Sequence, residues 1–220
     1  MRFLAILALA AAFALSACET TSTTTASTTT TNIPTVRGYP PTAWAGRLEA
    51  DAWTAATHQA IDGLAPTLLS ATPRDIEAFC PGYAYQDGAG RRAFYVDLLA
   101  MIARQESNLD PAARFVEPTI RDAQGRNVVS TGLLQISQES ANGYGCQITD
   151  QRQLEDGATN LRCGVRIAGA LIQRDGLIAG YERGWKGAAR YWAVLRDPAK
   201  LADLQQFTNT KPYCRRVVGR

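Results

Sequence analysis

Hydrophobic and polar positions divide the chain into three stretches. An unbroken apolar run, Phe3 to Leu15, comes first, and a threonine-rich stretch nearly empty of large aliphatics follows it. Helical periodicity begins only after that. Ala43 to His58 is alanine-rich with Trp44, Leu48 and Trp53 at near-helical spacing, and Gly63 suits its end. Thr72-Pro73 reads as an N-cap with proline at the first helical position. Phe94, Leu98 and Ile102 recur every four residues, with Tyr95 and Leu99 widening the stripe. Asn160 to Asp175 places Leu161, Val165, Ala168, Leu171 and Ile172 on one face before Gly176. Gly187 to Leu195 predicts another helix, and Asp197-Pro198 caps the next. The periodicity fails between Arg114 and Thr131, where Asp122-Ala123-Gln124-Gly125 predicts a turn and Val128-Val129 a short extended piece. The pattern predicts a mainly α domain of about 180 residues with one small irregular or β insert.

The first run is too short to span a bilayer as a helix, and small residues close it, as in a secretory signal. Leu15-Ser16-Ala17-Cys18 resembles the lipobox of bacterial lipoproteins. That resemblance implies a signal peptide over 1–18, with Cys18 acylated as the first residue of the mature protein. Several acyl chains on one cysteine give lasting membrane attachment. Glu19, where an aspartate often retains such proteins in the inner membrane, points to the periplasmic side of the outer membrane. Residues 19–38 cannot bury enough apolar surface to offset their chain entropy and are expected to form a disordered tether. The folded domain is then 39–220.

Composition narrows the function classes. The net charge of +3 is mild, and no basic run is interleaved with aromatics, so nucleic acid is not an expected partner. Removing Cys18 from the five cysteines leaves Cys80, Cys146, Cys163 and Cys214, an even number in an exported chain. Two disulfides are expected, and three pairings are possible. The favoured one joins Cys146–Cys163 across a short loop and Cys80–Cys214 from the start of the domain to its tail. A zinc site is disfavoured because no CxxC pair occurs, and neither metal nor cofactor is expected.

Chemistry concentrates at Glu106. It continues the Phe94–Leu98–Ile102 series, so its carboxyl extends an apolar helix face. Apolar surroundings disfavour the charged form and raise the pKa, which suits a general acid. Gln105-Glu106-Ser107-Asn108-Leu109-Asp110-Pro111 resembles the first motif of the bacterial lytic transglycosylases of the SLT, goose-type lysozyme-like family of glycoside hydrolases. Gly132-Leu133-Leu134-Gln135-Ile136 is similar to their second motif. Ala158-Thr159-Asn160-Leu161 with Gly164 is similar to the third, and Ala189-Arg190-Tyr191 stands in the place of their AYN segment.

The resemblance implies a lysozyme-like helical fold, a monomer, and peptidoglycan glycan strands as partner. Glu106 would protonate the oxygen of the MurNAc–GlcNAc β-1,4 bond. It would then deprotonate the C6 hydroxyl to give 1,6-anhydro-MurNAc ends, with the substrate's acetamido group stabilising the anomeric carbon. Gln135 would bind substrate, Tyr191 would hydrogen-bond or orient Glu106, and Ser107 and Asn160 would shape the site. Departures from the pattern are specific. The stretch between Glu106 and Gly132 is long, and the serine many relatives place there to orient the acetamido group has no clear counterpart, Ser130 being a candidate. Trp192 replaces the asparagine of AYN, and Ser137 stands where goose-type lysozymes carry an aspartate. Loss of that aspartate argues against hydrolysis through a second carboxylate, although Glu117 or Asp122 could substitute. A hydrolytic muramidase and a non-catalytic wall-binding lipoprotein are the alternatives.

His58, the single histidine, is expected to be structural, and no GxSxG is present. Tyr181, Trp185, Tyr191 and Trp192 could offer sugar-stacking faces, with Trp185 and Trp192 leaning towards the core.

Overall fold

The computed structural model describes residues 40–215. The lipobox, Cys18 and the whole of the expected tether, 19–38, lie outside them.

Helix α4, Gly88–Ser107, is the axis of the domain. Asp87 starts it by accepting the Gly90 amide at 2.9 Å, satisfying one of the amides a helix N-terminus leaves unpaired. From Ala93 to Ala103 every residue is buried, so neighbours wrap the expected stripe on all sides. Around it pack α1 (Ala50–Leu64), α2 (Thr67–Ser70), α6 (Gly157–Asp175) and α7 (Pro198–Asn209). The one-turn helix α3, Ile76–Phe79, packs on α7. α5, Gln138–Gly143, lies between the insert and α6 in sequence. Gly176 ends α6 at φ 65°, and Asp197 caps α7 through the Ala199 and Lys200 amides, both as the sequence predicts.

The insert is an antiparallel hairpin, β1 (Arg114–Arg121) with β2 (Asn127–Thr131), closed by the expected turn around Asp122 and Gly125. A second small hairpin, β3 (Ala179–Tyr181) with β4 (Trp185–Gly187), follows α6.

Three expectations need correction. The first helix starts at Ala50, not Ala43, because Gly46 at φ 90° breaks the run; Trp44 is buried there, Leu48 is fully exposed, and Gly63 lies inside the helix. Thr72-Pro73 caps no helix, since the next one begins at Ile76. The helix expected over 187–195 is two 3₁₀ turns, Ala188–Arg190 and Ala193–Leu195. Gly187 enters them at φ 58°, where a Cβ would fall onto the carbonyls of Leu177 and Ile178, and Trp192 between them is extended.

Both disulfides have the expected partners, Cys80–Cys214 and Cys146–Cys163. Beside the first, the buried Lys211 donates to Pro41 O at 2.6 Å and lies 3.6 Å from Asp97 of α4, whose carboxylate also accepts the Tyr213 hydroxyl. Burial pushes the Asp97 pKa up to about 6 against those two favourable contacts.

Candidate active site

Glu106 occupies the last turn of α4, half-buried. The helix stops two residues later because Asn108 and Leu109 both take left-handed conformations, at φ 52° and 61°. Asparagine tolerates that region and leucine does not, so the turn is held from outside: Arg47 donates to Leu109 O at 2.6 Å. The chain then reverses into the insert.

Ser107 fixes the helix end to the second motif, its hydroxyl lying 3.0 Å from Ala103 O and 2.9 Å from Leu133 O. That motif is a tight turn. Gly132 sits at φ 80°, and a Cβ there would fall onto Leu154 O and the Asn160 amide. Asn160, wholly buried on α6, spends its side chain on this turn. Its Oδ1 accepts the Leu134 amide at 2.9 Å, and its Nδ2 donates to Thr131 O and Leu154 O at 2.9 Å each. Trp192, where relatives carry asparagine, donates its indole N–H to Leu134 O at 3.0 Å. Gln135, at φ 47°, commits its amide nitrogen to Ala113 O and Gly132 O, so what it can offer a sugar is its carbonyl oxygen.

Electrostatics at Glu106 follow from its surroundings. Burial raises its pKa above the usual carboxylate range. Opposing that are the charge of Lys200, a hydrogen bond from the Val194 backbone and the charge of Arg196, while Glu117 adds to the rise. Glu117 is the one half-buried residue of β1, and it accepts the Ser130 hydroxyl at 3.2 Å. Asp122 is instead locked into its own turn by the Gln124 and Arg126 amides and the Arg126 guanidinium.

Tyr191 lies close enough to feel the Glu106 charge, but its hydroxyl is bonded to Ser140 and to the Ser137 backbone. Its phenol is pushed up to about 12, chiefly by burial. Ser137 also caps α5, accepting the Ser140 amide at 3.2 Å. The structure thus gathers Glu106, Ser107, Gln135, Asn160 and Tyr191 around one helix end, with Glu117 and Ser130 facing them from the insert. Sequence reasoning missed Val194, Arg196 and Lys200: a backbone amide and two cations that only the tertiary fold brings near. Trp192 is core, as expected, and half-buried His58 lies on α1 away from this group. Among the described residues no cluster of His, Cys, Asp and Glu could hold a metal ion.

Residues 83–193 match the family described as Transglycosylase SLT domain. The chain belongs to that family. Among solved structures it is similar to DslA in a wild-type form, with TM-score 0.74 and 38% identity over 77% of this chain and 94% of that one. Two variants of DslA, each with one glutamate replaced by glutamine, match at 37% identity and TM-score 0.74, covering 78% and 77% of this chain and 95% and 94% of theirs. No curated protein matches. Membership carries a lytic transglycosylase-type fold and, at the coarse level, action on peptidoglycan.

Proposed function

We propose that this domain cleaves the MurNAc–GlcNAc β-1,4 bond of peptidoglycan and leaves 1,6-anhydro-MurNAc ends, with Glu106 as acid and then base. The observation that carries the reading is the state of Glu106, a half-buried carboxyl with a raised pKa, fixed by the Val194 backbone at the meeting point of all four motifs. In its protonated form it delivers a proton to the glycosidic oxygen. The resulting carboxylate stands beside Lys200 and Arg196, whose charges steady it until it takes the C6 hydroxyl proton. Gln135 would accept from a sugar hydroxyl or amide through its carbonyl. Ser107 and Asn160 hold the turn in shape, and Tyr191, its hydroxyl bonded to Ser140 and the Ser137 backbone, lies within the field of the acid rather than hydrogen-bonding it. Acylation at Cys18, anchorage at the outer membrane and a flexible tether over 19–38 complete the proposal and fit a substrate that lies in the cell wall.

One observation favours a second reading, hydrolysis. Glu117 brings a second carboxylate to Glu106, where it could activate water. The two glutamates replaced in DslA are eleven positions apart, as are Glu106 and Glu117 here. Mass spectrometry of sugars released from purified peptidoglycan separates the readings, since 1,6-anhydro ends are one water lighter than reducing ends. Glu106→Gln keeps shape and contacts but cannot cycle a proton. Cleavage is expected to fall by about 10²–10⁴-fold or more with folding intact. Full activity in that variant would remove the assignment.

A further inference from the structure

A cavity of about 420 Å³ opens between the end of α1, the loop that follows α5 and one face of α6. Its place on α6 separates it from the acid. Asn160 and Gly164 face the motif turn, since Asn160 bonds the Leu134 amide and a Cβ on Gly164 would strike the Leu134 side chain. Arg162 and Arg166, which line the cavity, each stand two positions further on, about 200° around the helix.

The loop wall is fixed before any ligand arrives. The Cys146–Cys163 disulfide ties it to α6, and Asn142 clasps the Ile148 backbone through both amide atoms, at 2.8 and 2.7 Å. Gly145 takes φ 77°, and Gln147, which is not glycine, is held at φ 58°. A residue with a side chain keeps that conformation only where its surroundings dictate it. Arg166 lies along this loop, its Nη1 3.6 Å from where a Cβ on Gly145 would stand.

The lining combines three kinds of chemistry. Arg162 is steadied by Thr159 Oγ1 at 3.0 Å, yet among the described residues neither it nor Arg166 is in an ion pair. Asp156 stands at the rim, but its carboxylate caps α6 by accepting the Thr159 amide at 2.8 Å. Two guanidiniums one helical turn apart are thus left to fork an oxyanion. Beside them the floor is apolar, made by Leu64, which is 38% exposed, by Ile148 and by the disulfide. Gln147 and Gln153 add amides at the edge. A bare phosphate would use the cations and leave the floor empty. A carboxylate carried on a small apolar group, at the end of a chain of amides, uses all three.

We infer that this cavity binds the carboxylate end of a short peptide with small side chains, Arg162 and Arg166 holding its oxygens and the apolar floor taking a methyl group. This rests on the peptidoglycan reading above, under which the stem peptides of the wall supply such ends. The domain then grips the wall by a peptide on one side of α6 while it cuts a glycan strand on the other.

The test titrates the protein with three probes and follows backbone amide shifts by NMR. The probes are the free stem tetrapeptide, the same peptide with its carboxylates converted to amides, and inorganic phosphate. The tetrapeptide is expected to shift Gly145, Gln147 and Thr159. Amidation is expected to weaken binding about tenfold or more, and Arg162→Gln and Arg166→Gln to do the same to the unmodified peptide. Equal affinity for the amidated peptide, shifts away from the cavity, or phosphate bound as tightly as the peptide overturns the site. Amidation changes the ligand alone, so the result does not hang on how either variant folds. If the tetrapeptide binds as expected while the protein releases no sugars from peptidoglycan, the catalytic reading falls and the peptide site stands.

Discussion

The turn at 132–136 and the hairpin β1–β2 are neighbours in sequence, and both border the end of α4, yet they are built oppositely. The turn is almost wholly buried and its polar groups face inward: Asn160, Trp192 and Ser107 claim the carbonyls and amides of Thr131, Leu133 and Leu134. The hairpin leaves Phe115, Val116 and Ile120 in water and turns one half-buried residue, Glu117, towards the acid. Apart from the Gln135 carbonyl oxygen, the turn's polar groups are spent on its own shape, so a change there alters shape. The hairpin bears little of the fold, so a change there can alter chemistry without cost to stability.

The strongest way to break this contrast is at Asn160. Asn160→Ala would leave the Leu134 amide and the carbonyls of Thr131 and Leu154 buried without their partner, each a costly vacancy. Chemical denaturation is expected to show a loss of roughly 3 kcal/mol or more, with activity falling in parallel. A loss below 1 kcal/mol would mean that the turn is not held as described.

Glu117→Gln asks whether the hairpin carries chemistry. Under the transglycosylase reading, 1,6-anhydro ends persist and activity changes by less than about tenfold, since acid/base roles are worth ~10²–10⁴-fold. Conversion to an inactive enzyme with unaltered stability would transfer the reaction to the two-carboxylate hydrolytic scheme.

The sequence discloses these two regions unequally. The place of Glu106 on α4 is legible because three apolar residues at four-residue spacing lead to it and a motif surrounds it. α6 and α7 are legible because Gly176 and Asp197-Pro198 mark their ends chemically. The segment 187–195 is misread as a helix because its composition is helical, while the left-handed Gly187 and the extended Trp192 are set by contacts with Leu177, Ile178 and Leu134. Strands of three residues are too short for alternation to reveal, so β3–β4 escapes notice. Val194, Arg196 and Lys200 belong to no motif, and only folding brings them to Glu106.

Smaller effects sharpen the same contrast through pH. The Glu117 charge helps hold the proton on Glu106, and the Lys200 charge helps release it. Under the proposed mechanism activity needs that proton in the first step, so the basic limb of the pH–rate profile would report its loss. Glu117→Gln is expected to move this limb to lower pH and Lys200→Gln to higher pH. Shifts in the same direction would show that neither charge acts on Glu106. The smallest effect is expected at the tip of the contrast: Ile120→Thr on the exposed face of β1 should change stability by no more than about 0.5 kcal/mol, read from the thermal midpoint.

The clamp at Lys211 has a mechanical consequence. Residue 41 and the tail at Tyr213 and Cys214 meet on the same stretch of α4, through Lys211, Asp97 and the disulfide to Cys80. A pull on the chain ahead of residue 40 therefore enters the domain beside its covalent staple. The load passes into the ion pair and the tail, about 14 Å along the helix from Glu106. In the proposed anchored protein, traction on the tether would be borne at the middle of α4, short of the last turn that carries Glu106.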